Sequence, residues 1–377
     1  MMNEMICKGA VCDYDDIIDF GNLVFRLDFK SLLPKLYDNH PEKAQCHHLA
    51  KEKGKIKAMV GNFPLSLQAA GKPLKVYGIG TVSVHPYSRG KGYMKTLMKN
   101  AVEEAKQNGG DFMVLTGQRQ RYEHFGFTRC GIQLRFDYNQ SNKRHLKEYT
   151  AEGISLVSLR EKAEYVQPCL EIYQRQGVFA GRTAEDFVEV VSSWDAIPYG
   201  ILSEGQLIGY CCFIPESGTV EEMVLSDASQ TVPVVLKLLE LVKYNLVVLM
   251  NPNQGGCIRE MYRTCECSQI LNGTGINVLN YPNVIEAFLT LKGQTEGIID
   301  GSYVVDVQDV GRYKITVENG AVAVCETTED CDLSLPHIEM MCRLFDPMAA
   351  YLPGKESSAI EKSWFPIPVY FPHMDNV

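Results

Sequence analysis

The pattern of apolar and polar positions predicts a strand followed by a helix between residues 76 and 105. Apolar residues suited to a half-buried strand occur at Val76, Tyr77, Ile79, Val82 and Val84. Apolar residues with the spacing of an amphipathic helix follow at Met94, Leu97, Met98, Ala101, Val102 and Ala105. The strand should end at Pro86, so the glycine-containing turn at 89–92 becomes the N-terminus of the helix.

The same patterns predict elements along the rest of the chain. Strands are expected at 111–117, 200–202, 206–214, 219–225, 246–250, 297–307, 311–318 and 321–326. Helices are expected at 232–242, 284–291 and near 338–345. Prolines at positions 366, 368 and 372 exclude a helix from the apolar tail WFPIPVYFPHMDNV, which should run extended against another surface.

The order of these elements divides the chain into three predicted domains. Residues 1–150 end in a polar run, and residues 151–283 repeat the order strand, strand, strand, helix, strand. The repeat lacks the chemistry of the first domain, because residues 226–230 contain neither an arginine nor a Gly-x-Gly turn. We expect a degenerate second domain that serves as a wall of the substrate pocket, followed by a small α/β domain at 284–377.

Size, composition and charge restrict the class of function. A chain of 377 residues with 45% hydrophobic content can form two or three packed cores. The net charge of −9 argues against nucleic acid as a partner. An acidic excess suits a cationic substrate and is equally compatible with a role in solubility alone. The N-terminal sequence turns acidic too early for a signal peptide, and charged residues interrupt the apolar stretch 232–250. We therefore expect a cytoplasmic protein with no membrane partner.

Cysteine and histidine spacing gives no indication of a metal site. The thirteen cysteines show no Cys-x-x-Cys pair, and no histidine spacing completes a zinc site. Three adjacent or near-adjacent pairs are expected to be reduced, packed or merely exposed side chains: Cys211 with Cys212, Cys265 with Cys267, and His47 with His48. No metal cofactor is expected.

The turn at 89–92 has the composition of a phosphate-binding loop. A helix N-terminus presents unpaired backbone N–H groups and a partial positive charge. Gly90 and Gly92 remove side chains that would keep a ligand away from that backbone. Positive charge is supplied by Arg89, Lys91, Lys95 and Lys99. The spacing is neither that of a P-loop nor that of a dinucleotide fingerprint, but a pyrophosphate would fit.

The turn resembles the coenzyme A loop of the Gcn5-related N-acetyltransferases (GNAT), Arg/Gln-x-x-Gly-x-Gly/Ala. The corresponding residues are Arg89, Gly90, Lys91, Gly92, Tyr93 and Met94, of which Met94 departs from the pattern. In this superfamily a bulge splays the preceding strand from its neighbour, and the matching segment is Val82, Ser83 and Val84. The predicted strand at 111–117 and the sequence RYEHFGF at 121–127 follow in the superfamily's order.

The whole chain resembles the enhanced intracellular survival (Eis) branch of the GNAT superfamily. This resemblance implies an α/β (α+β) protein with tandem GNAT folds, the second degenerate, and a C-terminal sterol carrier protein-like domain. It also implies a homo-oligomer, trimeric or hexameric. Implied contacts of acetyl-CoA are Val82, Ser83, Val84, Arg89, Gly90, Lys91, Gly92, Tyr93, Met94, Lys95, Gly117 and Gln118. Tyr122 matches the general acid, and Val377 matches the terminal carboxylate that acts as base in the first domain.

The implied activity is acetyl-CoA-dependent N-acetylation of a primary amine on a cationic substrate, either an aminoglycoside-like small molecule or a lysine of a peptide or protein. His124 and Glu123 are alternative bases because they lie next to Tyr122 in sequence. Asp28 and the acidic run at 13–16 are candidate lining residues of the amine pocket, with solvent-facing positions as the alternative. A different class also remains open, a non-catalytic module that binds acyl-CoA or lipid.

Overall fold

Three β-sheets and twelve α-helices make up residues 4–351 and 357–377, the part of the chain that the computed structural model describes. Residues 1–3, at the start of the predicted first domain, and residues 352–356, within the predicted third domain, lie outside the described residues. Within the described residues, every helix is too short or too polar to cross a membrane.

The strands of the first half are β1 Glu4–Lys8, β2 His47–Glu52, β3 Lys55–Ala69, β4 Lys72–Val84, β5 Phe112–Leu115, β6 Thr128–Arg129, β7 Ile132–Asn139, β8 Ile154–Ser158 and β9 Val178–Ala180. Those of the second half are β10 Ile197–Ser203, β11 Gln206–Ile214, β12 Thr219–Leu225, β13 Asn245–Met250, β14 Cys267–Asn272, β15 Gly275–Val278, β16 Gly301–Val307, β17 Gly311–Glu318, β18 Ala321–Glu326 and β19 Leu333–Leu335. The helices are α1 Tyr14–Phe25, α2 Phe29–Leu32, α3 Pro34–Tyr37, α4 Tyr93–Gln107, α5 Arg119–Tyr122, α6 Val166–Gln174, α7 Phe187–Val191, α8 Thr231–Leu238, α9 Gly255–Thr264, α10 Tyr281–Thr295, α11 His337–Phe345 and α12 Ala359–Trp364.

The first sheet carries the predicted loop and has the order β1-β2-β3-β4-β5-β15-β6, with β9 paired to β3. Helices α1 to α3 pack on one face and α4 packs on the other. Met59 and Val60 are neighbours in β3 but belong to these two different clusters, because successive side chains of a strand point to opposite faces. The sheet is therefore covered on both sides.

The second sheet has the order β14-β7-β13-β12-β11-β10-β8. Its β7 comes from within the predicted first domain, whereas β15, from the predicted second domain, is inserted in the first sheet. The strand β9, also from the predicted second domain, pairs with β3 of the first sheet. The sheets therefore do not follow the expected boundaries at 150 and 283, because these three strands cross over between them. The polar run at 139–147 forms a 3₁₀ turn after β7 and not a linker between separate sheets.

The third sheet, β18-β17-β16-β19, and the C-terminal tail share one apolar cluster with the first sheet. Phe288 of α10 and Phe371 of the tail both contact Phe112 of β5, with ring centroids 6.5 Å apart in each case. The extended, buried path predicted for the proline-rich tail is confirmed, apart from a short 3₁₀ turn at His373–Asp375. Likeness of this domain to a sterol carrier protein stays a prediction.

The predicted mixed α/β class is confirmed, and several element bounds agree with the structure. The strands predicted at 206–214, 219–225, 311–318 and 321–326 are β11, β12, β17 and β18. The helix predicted from residue 94 is α4. The strand predicted at 297–307 begins only at Gly301, which is in an extended conformation, after a left-handed Gly297 (φ +78°).

Candidate active site

The loop before α4 presents an open helix N-terminus, as predicted. Gly90 and Gly92 have φ angles of +81° and +80°, a left-handed conformation that favours glycine. A Cβ atom at either position would meet nothing within 4 Å, so this backbone faces open space. Gly92 is the N-cap residue and provides no side-chain cap, so the positive end of the α4 dipole can face an anion.

A basic groove of about 910 Å³ opens at this helix end. It is lined by Val84, Ser88, Arg89, Gly90, Gly92, Tyr93, Met94, Lys95, Lys99, Gln120, Arg121, His124 and Phe125. Two arginines and two lysines line the groove, and none of its described lining residues is an Asp or Glu. We name this the basic groove. Its charge suits the phosphates of a nucleotide coenzyme.

Some residues predicted to contact the coenzyme do not line this groove. Lys91 turns away, and its Nζ lies 2.6 Å from Oε1 of Glu52. Ser83 is buried, and its hydroxyl donates a 3.0 Å hydrogen bond to the carbonyl of Thr81. Val82, Gly117 and Gln118 are also absent from the lining. Lys99 and Arg121 do line it. The sequence indicated Lys99 as a positive charge beside the loop, whereas Arg121 was not predicted.

The strand β4 carries the bulge and the splay that the resemblance implied. Its register with β3 shifts between Met59 and Gly61, so that two residues of β4 oppose Val60 alone. Thr81 lies in this bulge with a left-handed φ of +49°. Pairing of β4 with β5 ends at Ile79 and Leu115, so among the described residues β4 continues to Val84 without β5 as a partner. Backbone groups of this free edge can hold a ligand.

Tyr122 lies at the end of α5, beside the gap between β4 and β5. Its ring packs directly on Gly117, where an added Cβ would lie only 2.5 Å from Cε2 of the ring. The side chain is buried, and this burial raises the pKa of its phenol above the ordinary value. Tyr122 is therefore a protonated phenol at neutral pH.

Val377 lies on β4 from the opposite face of the sheet, in the apolar cluster of α1 to α3. A Cβ atom on Gly80 would lie 2.8 Å from the carboxyl carbon of Val377 and 3.0 Å from its oxygen. A Cβ atom on Gly78 would lie 2.6 Å from Cγ2 of the same residue. Both strand positions must therefore be glycine for the tail to approach, and paired glycines in a strand are a sequence signal of such an approach.

A smaller cavity of about 160 Å³ is lined by Gly117, on which Tyr122 packs, and by Asn376, which precedes Val377. Tyr122 and Val377 do not themselves line this cavity, and Tyr122 does not line the basic groove. The two side chains belong to the apolar clusters on opposite faces of the first sheet. Tyr122 and Val377 thus approach the splayed part of the first sheet from different faces.

A second large pocket, of about 770 Å³, reaches Val377. Its lining includes the five acidic residues Glu42, Asp111, Asp186, Glu189 and Asp375, and the three lysines Lys35, Lys43 and Lys75. His40 also lines it, with Nε2 2.7 Å from Oε2 of Glu189. We name this the acidic pocket. Its acidic residues come from distant parts of the chain, which is why the sequence did not reveal them.

The acidic residues expected at this pocket from the sequence lie elsewhere. Asp28 caps α2, accepting hydrogen bonds from the backbone N–H of Lys30 and the hydroxyl of Ser31. Asp13 lies 2.5 Å from Nζ of Lys51. Neither Asp28 nor any residue of the 13–16 run lines the acidic pocket. Asp15, Asp16 and Asp28 are exposed, which agrees with the solvent-facing alternative.

The two alternative bases, Glu123 and His124, both lie outside the acidic pocket. Glu123 forms an ion pair with Arg119, at 3.0 Å from its Nε. His124 lines the basic groove and not the acidic pocket. Neither residue is placed beside a cationic acceptor in that pocket.

In the second sheet two neighbouring strands also diverge, but an acidic side chain occupies the turn that corresponds to the phosphate-binding loop. Pairing of β12 with β13 covers only Thr219 and Val220, so β12 diverges from its neighbour as β4 does. In the turn before α8, the carboxylate of Asp227 accepts hydrogen bonds from the backbone N–H and the hydroxyl of Ser229. A carboxylate at this position repels phosphate, which agrees with a degenerate repeat. Among the described residues, no group of three or more His, Cys, Asp or Glu side chains is arranged to hold a metal ion.

Comparison with known proteins identifies the first domain. Residues 12–130 match the family described as Acetyltransferase (GNAT) domain. Comparison with curated proteins finds no significant sequence match. The protein therefore carries a GNAT acetyltransferase domain, and it is an acyltransferase.

Solved structures share the fold over almost the whole chain. A GCN5-related N-acetyltransferase from Anabaena variabilis has a TM-score of 0.71 at 14% identity, with 98% of both chains covered. A probable N-acyltransferase from Enterococcus faecalis has a TM-score of 0.69 at 12% identity, with 97% of both chains covered. Eis1 from Mycobacterium abscessus has a TM-score of 0.65 at 13% identity, with 100% of both chains covered. The predicted resemblance to the Eis branch is thus confirmed at the level of the fold.

Proposed function

We propose that the protein is an acetyl-CoA-dependent N-acetyltransferase that acts on a primary amine of a cationic acceptor. The observation that carries this proposal is the arrangement along β4, which meets the basic groove at Val84, in its splayed end, and the acidic pocket at residues 73–75, near its start. Val377 lines the acidic pocket and packs on β4 at Gly78 and Gly80, between these two ends. A polyanionic donor and a cationic acceptor would therefore reach the same strand from opposite faces. Aminoglycoside-like molecules and lysine side chains both meet the charge requirement of the acceptor.

The residues of the basic groove fit acetyl-CoA. The uncapped N-terminus of α4 and Arg89 suit a diphosphate, and the open space above Gly90 and Gly92 leaves room for it. The unpaired edge of β4 from Gly80 to Val84 offers main-chain groups for the amides of a pantetheine arm. When bound, acetyl-CoA supplies the activated acetyl thioester.

Tyr122 is proposed as the general acid that donates a proton to the departing thiolate. An ordinary phenol titrates near ~10 and an ordinary thiol near ~8.5, so the transfer is uphill by roughly 2 kcal/mol. Burial raises the pKa of Tyr122 and therefore increases this cost, but it also keeps the phenol protonated at neutral pH. General acid catalysis typically contributes about 10²- to 10⁴-fold.

The carboxylate of Val377 is proposed to hold the acceptor amine and to take up its proton. An ordinary α-carboxyl group titrates near ~3.5, which makes it a weak base in water. Val377 is buried and lines the acidic pocket, so a bound amine would meet its carboxylate with less competition from solvent. The proposal takes Val377 as the last residue of the natural protein, and the intact mass of that protein checks this point.

A thiol-release assay tests the function. Purified full-length protein is mixed with acetyl-CoA and a panel of aminoglycosides and lysine peptides, each paired with an analogue in which the amine is blocked. We expect thiol release with free amines only, and a loss of about 10²-fold or more in kcat for Tyr122→Phe. The exposed Tyr244→Phe is the matched control.

Two outcomes would contradict the proposal. Coenzyme binding without thiol release for any amine would favour the non-catalytic acyl-CoA or lipid-binding module. A loss of only two- or threefold in Tyr122→Phe would reduce Tyr122 to a packing residue. The cytoplasmic location and the trimeric or hexameric assembly are further parts of the proposal, and light scattering tests the assembly.

A further inference from the structure

A buried lysine of the first domain holds the end of the C-terminal tail. Lys35, in α3, donates hydrogen bonds from Nζ to the carbonyl oxygens of Met374 and Asn376, the latter at 2.7 Å. The residue is only 9% exposed. Two of the three ammonium donors are thus used on the main chain on either side of Asp375.

A buried arginine of the second domain holds the side chain between those two carbonyls. Arg182 Nη2 lies 2.6 Å from Oδ2 of Asp375, and Nε lies 3.2 Å from Oδ1. The same guanidinium donates to both carboxylate oxygens of Glu222, at 2.7 and 2.8 Å. It also stacks on the ring of Tyr173, 3.9 Å from the centroid. The planar fork of the guanidinium therefore fixes Asp375 in both position and orientation.

The charges of this buried cluster balance when Lys35 is protonated. Lys35 and Arg182 then carry two positive charges, and Asp375 and Glu222 carry two negative charges. Burial lowers the pKa of Lys35 to about 7, and the Asp375 carboxylate opposes this shift. Because burying an ammonium and a guanidinium is costly, their presence here needs a structural reason beyond apolar packing.

Hydrogen bonds within the tail end are local and do not tie it to the sheets. The N–H of Asp375 donates to the carbonyl of Pro372, and that of Asn376 donates to the carbonyl of His373. The side chains of Met374 and Val377 are buried in two different apolar clusters. His373 of the same turn lies with Nε2 3.8 Å from Oε2 of Glu221 in β12. The shorter contacts of Lys35 and Arg182 are therefore the main polar restraints, among the described residues, on the rotation of this short turn.

We propose that Lys35 and Arg182 are positioning residues that clamp the last turn of the tail and so hold the Val377 carboxylate against Gly80. The catalytic consequence of this clamp rests on the proposed function of that carboxylate. The second domain then takes part in the reaction through Arg182, although its own anion loop is occupied by Asp227. Lys35 and Arg182 lie outside the two sequence features that indicated the activity, the turn at 89–92 and the sequence RYEHFGF at 121–127.

The test measures turnover and release of the tail in the same variants. Lys35→Met removes the donors while keeping the side-chain length, and the exposed Lys30→Met of α2 is its control. Asp375→Asn keeps the shape of the tail and leaves Arg182 paired with Glu222, so the fold should survive. The control for Asp375→Asn is the exposed Asp19→Asn. Thermal unfolding confirms that each variant is folded.

We expect kcat to fall about 10- to 100-fold in Lys35→Met and Asp375→Asn, with KM for acetyl-CoA unchanged within about twofold. Carboxypeptidase should release Val377 about tenfold faster or more from these variants, because loss of charged hydrogen bonds favours the open tail. Faster release with unchanged turnover would overturn the catalytic role of the clamp. Unchanged release would overturn the clamp itself. Failure of the proposed function would look different, since the wild-type protein would then release no thiol with any amine.

Discussion

Replacing Gly80 by alanine should displace the Val377 carboxyl group by a distance that the structure defines. The added Cβ would lie 2.8 Å from the carboxyl carbon, whereas ordinary contact begins at 3.4 Å. The terminus must therefore retreat by about 0.6 Å, because β4 is fixed at this point by its pairing with Gly61 of β3. A misplacement of about 1 Å can cost a reaction about 10²-fold. We expect kcat to fall about 10- to 100-fold, equivalent to about 1.4–2.7 kcal/mol.

Thiol release at saturating acetyl-CoA and amine measures this effect, and a second glycine provides the matched comparison. Alanine at Gly78 would press on the side chain of Val377, at 2.6 Å from Cγ2, and not on its carboxyl group. Val377→Ala should therefore restore activity to Gly78→Ala but not to Gly80→Ala. Wild-type turnover in folded Gly80→Ala, or equal rescue of both variants by Val377→Ala, would refute the reasoning.

Two further predictions concern the acid and the stability of the fold. Gly117→Ala should displace the ring of Tyr122, since the new Cβ would lie 2.5 Å from Cε2. We expect kcat to fall at least about tenfold, with little change in KM for acetyl-CoA. An unchanged kcat would argue against Tyr122 as the general acid. Burial lowers the pKa of His47 to about 4, so between pH 6.5 and 4 the unfolded chain binds a proton that the folded chain does not. The free energy of unfolding should therefore decrease by about 3 kcal/mol as pH falls through this window, and denaturant titrations of His47→Gln should show a weaker dependence; an equal slope in both proteins would contradict it.

Local patterns predicted much of the fold. The bounds of β11 and β17 agree with the prediction because alternating side chains and flanking turn residues determine them locally. The strand β15 was not predicted, since four residues between two loops carry too little periodicity to indicate a strand, and nothing local indicates that it pairs with β5. The exchange of β7 and β15 between sheets depends on long-range pairing, which a single sequence does not encode in its spacing.

The coenzyme side of the site was more predictable than the acceptor side. The loop with Gly90 and Gly92 is contiguous, and a helix N-terminus needs only neighbouring residues to form. The acidic pocket instead combines Glu42, Asp186 and Asp375, which folding brings together from all three predicted domains. No local pattern in the sequence distinguishes Lys35 and Arg182 from other cations, and only their burial against the tail does so.

The insertion of β15 between β5 and β6 has a consequence for how the protein can be divided. A recombinant fragment that stops at residue 150 would lack this strand and leave β5 with an unpaired edge beside the loop that leads to Tyr122. The same fragment would carry β7 without the neighbours it pairs with in the second sheet. Residues 1–150 are therefore not expected to fold as an independent domain. A chimera that keeps this part of the chain also has to keep β15, which completes the first sheet.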